Sequence, residues 1–475
     1  MGFGTRFSNF GLEGDSMYSS MQMACLGCLV LVSLSLVVDT AAGQLCDTTE
    51  HANIQPLGGG VFDNFGCDVA VSGSTGVVGA SWDGQNGNDA GAAYIFDLET
   101  GMQRHRLVPA DGTTRDFLGR AVAISGDRVL VSAHLDDPTA LDGGTVYVFD
   151  AATGGVVRKL TPDDAQAFDG FGRAIAIEDH LAVISSWQGT IFGPGVAYVF
   201  NVASGEQLWK LIPDDRGALD QQFGHCVDIS GNTVIVGSYA DDDNGVRSGS
   251  AYLFDAISGE QIAKLTPSDG MAGAVFGTAV AISGSRAVVG AELDEENGRF
   301  AGAAYVFDTI TGDELMKLTP SDAEPYDSFG GAVDIEGRLV FVSSGSGNEV
   351  SSGAVYIFNA VSGEELAKVY TEDLGVGFDR FGSSLSASDG RLLVGAAAND
   401  NDGTFTGSVT HLRSAVPVCA SRIWISMVCS ISLMWRCWWS PLARMTPSLI
   451  SIMTGNSTSS MCHCFCRRIC RGAPE

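Results

Sequence analysis

Apolar and polar residues alternate along most of this chain in short runs separated by glycine- and aspartate-rich turns. Residues 277–320 show the pattern: "GTAVAIS" alternates, turns at "GS" and returns as "RAVVGAEL". A polar loop, "DEENGRFAG", leads to "AAYVFDT", a turn "ITG", and a last run "DELMKLTP". A period of two over four to eight residues, bounded by turn formers, predicts four short antiparallel strands.

The same pattern recurs. Aligned on the glycine that opens the first strand, the units begin at Gly66, Gly119, Gly172, Gly224, Gly277, Gly330 and Gly382. Phe precedes that glycine six times, as Phe65, Phe171, Phe223, Phe276, Phe329 and Phe381, and Leu118 does so once. The third strand carries Tyr94, Tyr147, Tyr198, Tyr252, Tyr305 and Tyr356, each with a Phe two residues later. After it comes a turn of Asp or Asn, two residues, Ser or Thr, then Gly, in which the first side chain bonds its own backbone and Gly takes the positive φ. Four-stranded units at this period predict an all-β, seven-bladed β-propeller over residues 44–418. The recurrent Phe, Gly and Tyr are then structural anchors at blade joints.

Ring closure is also written in the pattern. The seventh unit stops after its third strand, "GSVTHL", while "ANIQPLGGGVFDNFG" ahead of the first blade resembles "AKLTPSDGMAGAVFG" ahead of the fifth. An N-terminal strand around Ile54 is expected to complete the last blade and remove two open sheet edges. Cys46 and Cys419 flank that joint and are the disulfide candidate, which would contribute at most roughly 5–6 kcal/mol by loop closure. Cys67 and Cys226, three blades apart, are expected to be free thiols.

Charge and hydropathy divide the chain differently. Residues 44–418 hold 20 of the 27 basic and 52 of the 56 acidic residues. So acidic a body repels nucleic acid and anionic membranes. Residues 1–43 contain the apolar stretch Ala24 to Val38, followed by small residues. This reads as a secretory signal, cleaved after Ala42 or Gly43, that leaves no stable membrane span. Residues 419–475 contain seven of the twelve Cys, four of the seven Trp and no Asp. Read one frame over, the codons for Trp424–Val428 and Ile452–Asn456 permit two Asp/Asn-rich loops ending in Gly, 27 residues apart. Those loops resemble the tandem calcium loops of dockerin-like modules, so the tail is expected to be frameshifted and disordered.

With Phe-Gly opening the units and "VVGA" or "GAAY" following, residues 60–412 resemble the FG-GAP repeat family, which includes the integrin α-subunit propellers. The resemblance implies the propeller fold and a protein or glycan ligand outside the cell. The chain departs from the integrin pattern between the first two strands. There "ISGDRV", "ISGNTV" and their equivalents are too short to wrap Ca²⁺ in six to eight oxygens. "FNVASGEQLWKL" resembles a blade signature of quinoprotein dehydrogenases, but Trp209 stands at its position in one unit only.

In a four-stranded meander the 1–2 and 3–4 turns share one face, and the 2–3 and 4–1 connections share the other. All the long, variable, acidic loops fall on the second face, which is where binding is expected. Asp241 and Asp243 in one loop, and Asn399, Asp400 and Asp402 in another, offer hard oxygens for Ca²⁺. No catalytic constellation or other cofactor signature is recognisable. The chain is expected to be a secreted or cell-surface, monomeric binding or adhesion module. The alternative is an extracellular polysaccharide-active enzyme or its scaffold component. Exposed aromatics on a broad face would favour binding, and clustered carboxylates in a deep pocket would favour the enzyme.

Overall fold

Every alternating run forms a strand, and its burial follows its place in the blade. In the computed structural model, blade 1 consists of Phe65–Ser72, Thr75–Ala80, Ala92–Asp97 and Met102–Leu107, hydrogen-bonded in that order. Its second and third strands are almost wholly buried, whereas the fourth alternates between exposed and half-buried residues and buries only Leu107. Neighbouring blades cover the inner strands on both faces, and the outer strand meets solvent. The structure describes residues 49–413, apart from 59, 61–62, 139, 189–192, 216–220, 346–352, 371–379 and 398–406. Contacts divide the chain into 1–415 and 416–475, and all described residues belong to the first unit. Cys46, Cys419, the expected signal and the expected frameshifted tail lie outside the described residues.

The described residues form seven antiparallel four-stranded sheets. Innermost strands touch their neighbours in chain order, and that of blade 7 touches that of blade 1. The expected closure is present. Thr49–Ile54 pairs antiparallel with Ser408–Arg413, Ile54 opposite Val409, and becomes the outer strand of blade 7.

The repeated aromatics sit at the joints. Phe65 packs edge-on against Tyr94 and Phe96, with ring centroids 5.7 and 6.0 Å apart, in a core shared with Leu393 and Val409 of blade 7. The same Phe–Tyr–Phe group recurs around Phe171, Phe223, Phe276 and Phe329. Each fully buried Phe is worth roughly 1.5–3 kcal/mol. The glycine after it has positive φ in every blade. At Gly119 a Cβ would also overlap the carbonyl oxygen of Ala92, so the joint needs both the conformation and the missing side chain.

On the tight-turn face, the last residue of the first strand in blades 1 to 6 reaches into the next blade. Ser72 Oγ accepts the Gly126 N–H (3.2 Å), Ser125 Oγ that of Asp179 (2.9 Å), and Ser230 Oγ that of Gly284 (3.1 Å). Glu178 and Glu336 do the same to Gly231 and Gly390. In the 3–4 turns, Asp97, Asp150, Asn201, Asp255, Asp308 and Asn359 each accept N–H bonds from their own turn.

Candidate ligand-binding face

The 2–3 and 4–1 connections meet on one side of the ring, and their acids are mostly engaged there. The leading acid of the 2–3 loops, Asp83, Asp136, Asp241 or Asp294, is buried in its blade. Each accepts the hydroxyl of the third-strand tyrosine: Tyr147 to Asp136 and Tyr305 to Asp294 at 3.0 Å, Tyr252 to Asp241 at 2.6 Å, and Tyr94 to Asp83. A second acid comes from the preceding 4–1 connection. Tyr198 donates to Asp164, Tyr305 to Asp269 and Tyr356 to Asp322, all at 2.9 Å. A cation completes each joint from the fourth strand, directly across from the tyrosine: Arg106, Lys159, Lys210, Lys264, Lys317 or Lys368. Lys317 illustrates the result, with its ammonium 2.6 Å from Asp269, 3.2 Å from Asp294, 2.7 Å from Glu296 and 5.1 Å from the Tyr305 ring centre.

These joints set the electrostatics of the loops. Burial pushes Asp241, Asp269 and Asp322 up, but the tyrosine hydroxyl and the ammonium outweigh it and hold all three below the usual carboxylate range. The lysine of "KLTP", twelve residues after each tyrosine, was therefore a legible site residue that strand patterning alone treats as outer-strand filler.

Of the expected cation ligands, Asp241 and Asp243 come together with Asp215, their oxygens within 4.8 Å of one another. Lys264 occupies the middle of this triad, with Nζ 2.5 Å from Asp215, 3.0 Å from Asp241 and also bonded to Asp243. Asp241 also accepts its own loop's Asp243 N–H at 3.2 Å. The donor set suits an ammonium already in place, and a Ca²⁺ ion needing six to eight oxygens would have to displace it. Asn399, Asp400 and Asp402 lie outside the described residues.

The loops are tied to one another by backbone bonds across each joint. Phe168 N–H donates to Leu141 O, Gly273 to Val246 O and Tyr326 to Arg299 O, each at 2.8 Å. Among the mostly polar outward side chains stand several large apolar ones: Trp82, Phe168 and Tyr326 are 50%, 47% and 53% exposed, and Leu57, Leu141 and Val246 are exposed as well. Arg299 lies over Phe300 and Tyr326, whose rings meet edge-on at 5.8 Å. Sixteen described non-glycine residues have positive φ, and all but Asp179 and Asp389 lie in these connections. Phe168 (φ 66°), Val275 (φ 53°) and Tyr326 (φ 73°) are held in backbone conformations that cost of order 1–3 kcal/mol each. Trp82 carries no repeat signature, but Phe168 and Tyr326 share an aromatic-Asp-x-Phe-Gly position that recurs at Phe62 and Phe378, a signal that strand alternation passes over because it lies in the 4–1 connection.

Inside the ring, Asp68, Asp228 and Asp334 line an axial cavity. Each spends its carboxylate on two strand N–H groups, its own neighbour's and one from the next blade: Val69 and Val122, Ile229 and Ile282, Ile335 and Ala387. Burial pushes them up to about 6, 7 and 6. The free thiols Cys67 and Cys226 donate to Gly119 O and Gly277 O and are raised by burial, Cys226 to about 12.

A family model, the FG-GAP repeat, matches residues 48–96, 102–149, 155–200, 206–254, 260–307 and 313–358, together more than half of the chain. Each match runs from the outer strand of one blade to the third strand of the next, and the first begins on the strand that closes the ring. The matches end at residue 358 and leave out the first three strands of blade 7, which has Thr410 where the others have Tyr. No curated protein matches the chain. Among the described residues no helix is long and apolar enough to cross a membrane. With seven four-stranded blades joined through Phe-Gly steps, the chain belongs to the FG-GAP repeat family.

Proposed function

We propose that this protein is an exported, non-catalytic binding or adhesion module whose loop face receives an extracellular protein or glycan. One observation carries the reading: exposed aromatic rings, Phe168 and Tyr326 above all, are held outward by left-handed backbone on loops stitched together across the blade joints. Apolar surface presented at a conformational cost is useful to a contact surface and to little else. Preorganised loops also lose little entropy on association. The acids of the same loops support binding in a different way, by locking the scaffold. Those in the axial cavity are occupied with strand N–H groups, which leaves the polysaccharide-cleaving alternative without a free carboxylate pair there.

The test is binding of the purified full chain to immobilised extracellular polysaccharides and matrix proteins. Trp82→Ala with Tyr326→Ala should abolish whatever binding is seen, whereas Ile257→Ser with Ile310→Ser, on the tight-turn face, should leave it intact. Equal loss in both variants would refute the assignment of the face. Export is tested by N-terminal sequencing of protein recovered from culture medium or cell surface, which should start after Ala42 or Gly43.

A further inference from the structure

The axial cavity, about 400 Å³, is lined by the innermost strand of every blade. The residue after each anchor glycine lies at its loop-face end. On one arc these are Arg120, Arg173 and His225, from three consecutive blades, and on the rest of the ring Thr278, Gly331, Ser383 and Cys67. Two guanidiniums side by side are unexpected inside a chain of net charge −29. Every joint cation described above has its carboxylate, but these two have none. The Arg120 guanidinium makes no hydrogen bond or ion pair among the described residues and is exposed to the opening. Arg173 lies 5.2 Å over the Trp187 ring and donates to His225 Nδ1.

The surroundings are arranged for an anion. Accepting that bond at Nδ1 leaves His225 neutral with its proton on Nε2, a donor. Burial, then the fields of Arg173 and Arg120, push His225 down to about 3, and the same causes act on His134. His134 meets Trp187 edge-on at 5.8 Å, and two polar atoms of this pair, His134 Nδ1 and Trp187 Nε1, are buried without a partner. The nearby carboxylates do not pair with either guanidinium. Asp68 feels Arg120 but accepts the Val69 and Val122 N–H groups, and Glu292 stands against Gly331 on the opposite arc, raised by burial alone. The Arg173 guanidinium, desolvated and without a carboxylate, is costly unless a counter-ion joins it, and the exposed Arg120 beside it adds a second forked donor that matches an oxyanion.

We infer that the loop-face mouth of the axial channel is a small-oxyanion site, in which Arg120 and Arg173 together grip one carboxylate, sulfate or phosphate group. It is a basic spot at the centre of an acidic ring, and it stands whether or not the surrounding loop face binds a macromolecule. The protein's overall charge repels anions, so saturable uptake must be local.

Calorimetric titration of sodium sulfate and of sodium glucuronate into the purified full chain, at fixed ionic strength set with chloride, tests the site. One equivalent should bind saturably. Arg120→Gln should weaken it about ten-fold or more with little change in melting temperature, because no hydrogen bond or ion pair among the described residues uses its side chain. Arg120→Lys should restore part of the loss. Glucuronate binding about ten-fold tighter than sulfate would identify a sugar acid as the source, and sulfate binding as tightly would identify the free ion or a sulfate ester. The inference is overturned if neither anion binds saturably at tens of millimolar, or if Arg120→Gln binds as well as the parent.

Discussion

Replacing Lys264 with Met removes the ammonium shared by Asp215, Asp241 and Asp243 while keeping most of the aliphatic stem. The cost follows from burial. Asp215 and Asp243 are about half exposed, so solvent takes over their charge and they contribute little. Asp241 is 1% exposed and would keep only the Tyr252 hydroxyl and the Asp243 N–H. Stranding one partner of a buried pair costs about 3–5 kcal/mol, and with a single buried carboxylate affected the lower end applies, ~3 kcal/mol. An unfolding entropy of ~2.1 cal/mol/K per residue over about 370 residues converts this to a fall of ~4 °C in melting temperature. Asp241 is held below its ordinary value, so its stabilisation is present above about pH 4 and lost as pH falls through its folded value. The gap between Lys264→Met and the parent, read by scanning calorimetry, should therefore be full at pH 7 and narrow only as pH falls below about 4. Ca²⁺ should raise the variant's melting temperature more than the parent's, since three carboxylates then face one another without a cation. A variant as stable as the parent at pH 7, or identical Ca²⁺ shifts in the two, would refute the reasoning.

Three other substitutions separate the remaining contributions. Gly330→Ala combines positive φ with overlap on the Ala303 carbonyl, whereas Gly101→Ala has positive φ and open space around it. The first should lose ~3 kcal/mol or more and the second ~1–2, compared by urea unfolding, and equal losses would contradict the close approach at the joint. Tyr305→Phe leaves Asp294 and Asp269 short of a shared donor and should cost ~1–3 kcal/mol in the same assay. Asp68, Asp228 and Asp334 are raised, so their charged forms weaken the fold above about pH 6–7 and the cost is relieved as pH falls towards the ordinary carboxylate range. Melting temperature should accordingly rise from pH 8 to pH 5.5, and less steeply in Asp228→Asn.

The ring was legible because each blade repeats its chemistry at one spacing. Alternation located the strands, the glycine interval counted the blades, and the truncated seventh unit revealed the strand near Ile54. The fate of the loop acids was not legible. Asp241 and Asp243 look like surface oxygens until Lys264, on a strand that alternation classes as outer, is seen to reach back over Tyr252 into their loop. The Ser72, Ser125 and Ser230 bridges were hidden for a similar reason, since strand pattern fixes which face a residue takes but not which neighbouring blade it touches. Trp82 occurs in one unit, the Arg120–Arg173 pair in two, and the aromatic position of Phe168 and Tyr326 in four of the seven. A repeat alignment discards such departures as noise, although individuality on a repetitive scaffold is where recognition has to reside.

The central claim is that the loop face is the contact surface and the tight-turn face is scaffold. The most direct measurement is quantitative binding of the full chain, of Trp82→Ala with Tyr326→Ala, and of Ile257→Ser with Ile310→Ser to one array of immobilised extracellular polysaccharides and matrix proteins. The account predicts that the parent and the tight-turn variant retain the same probes with equal affinity, while the loop-face variant, unchanged in melting temperature, retains none. Binding that survives the loop-face substitutions and disappears with the tight-turn ones would contradict it.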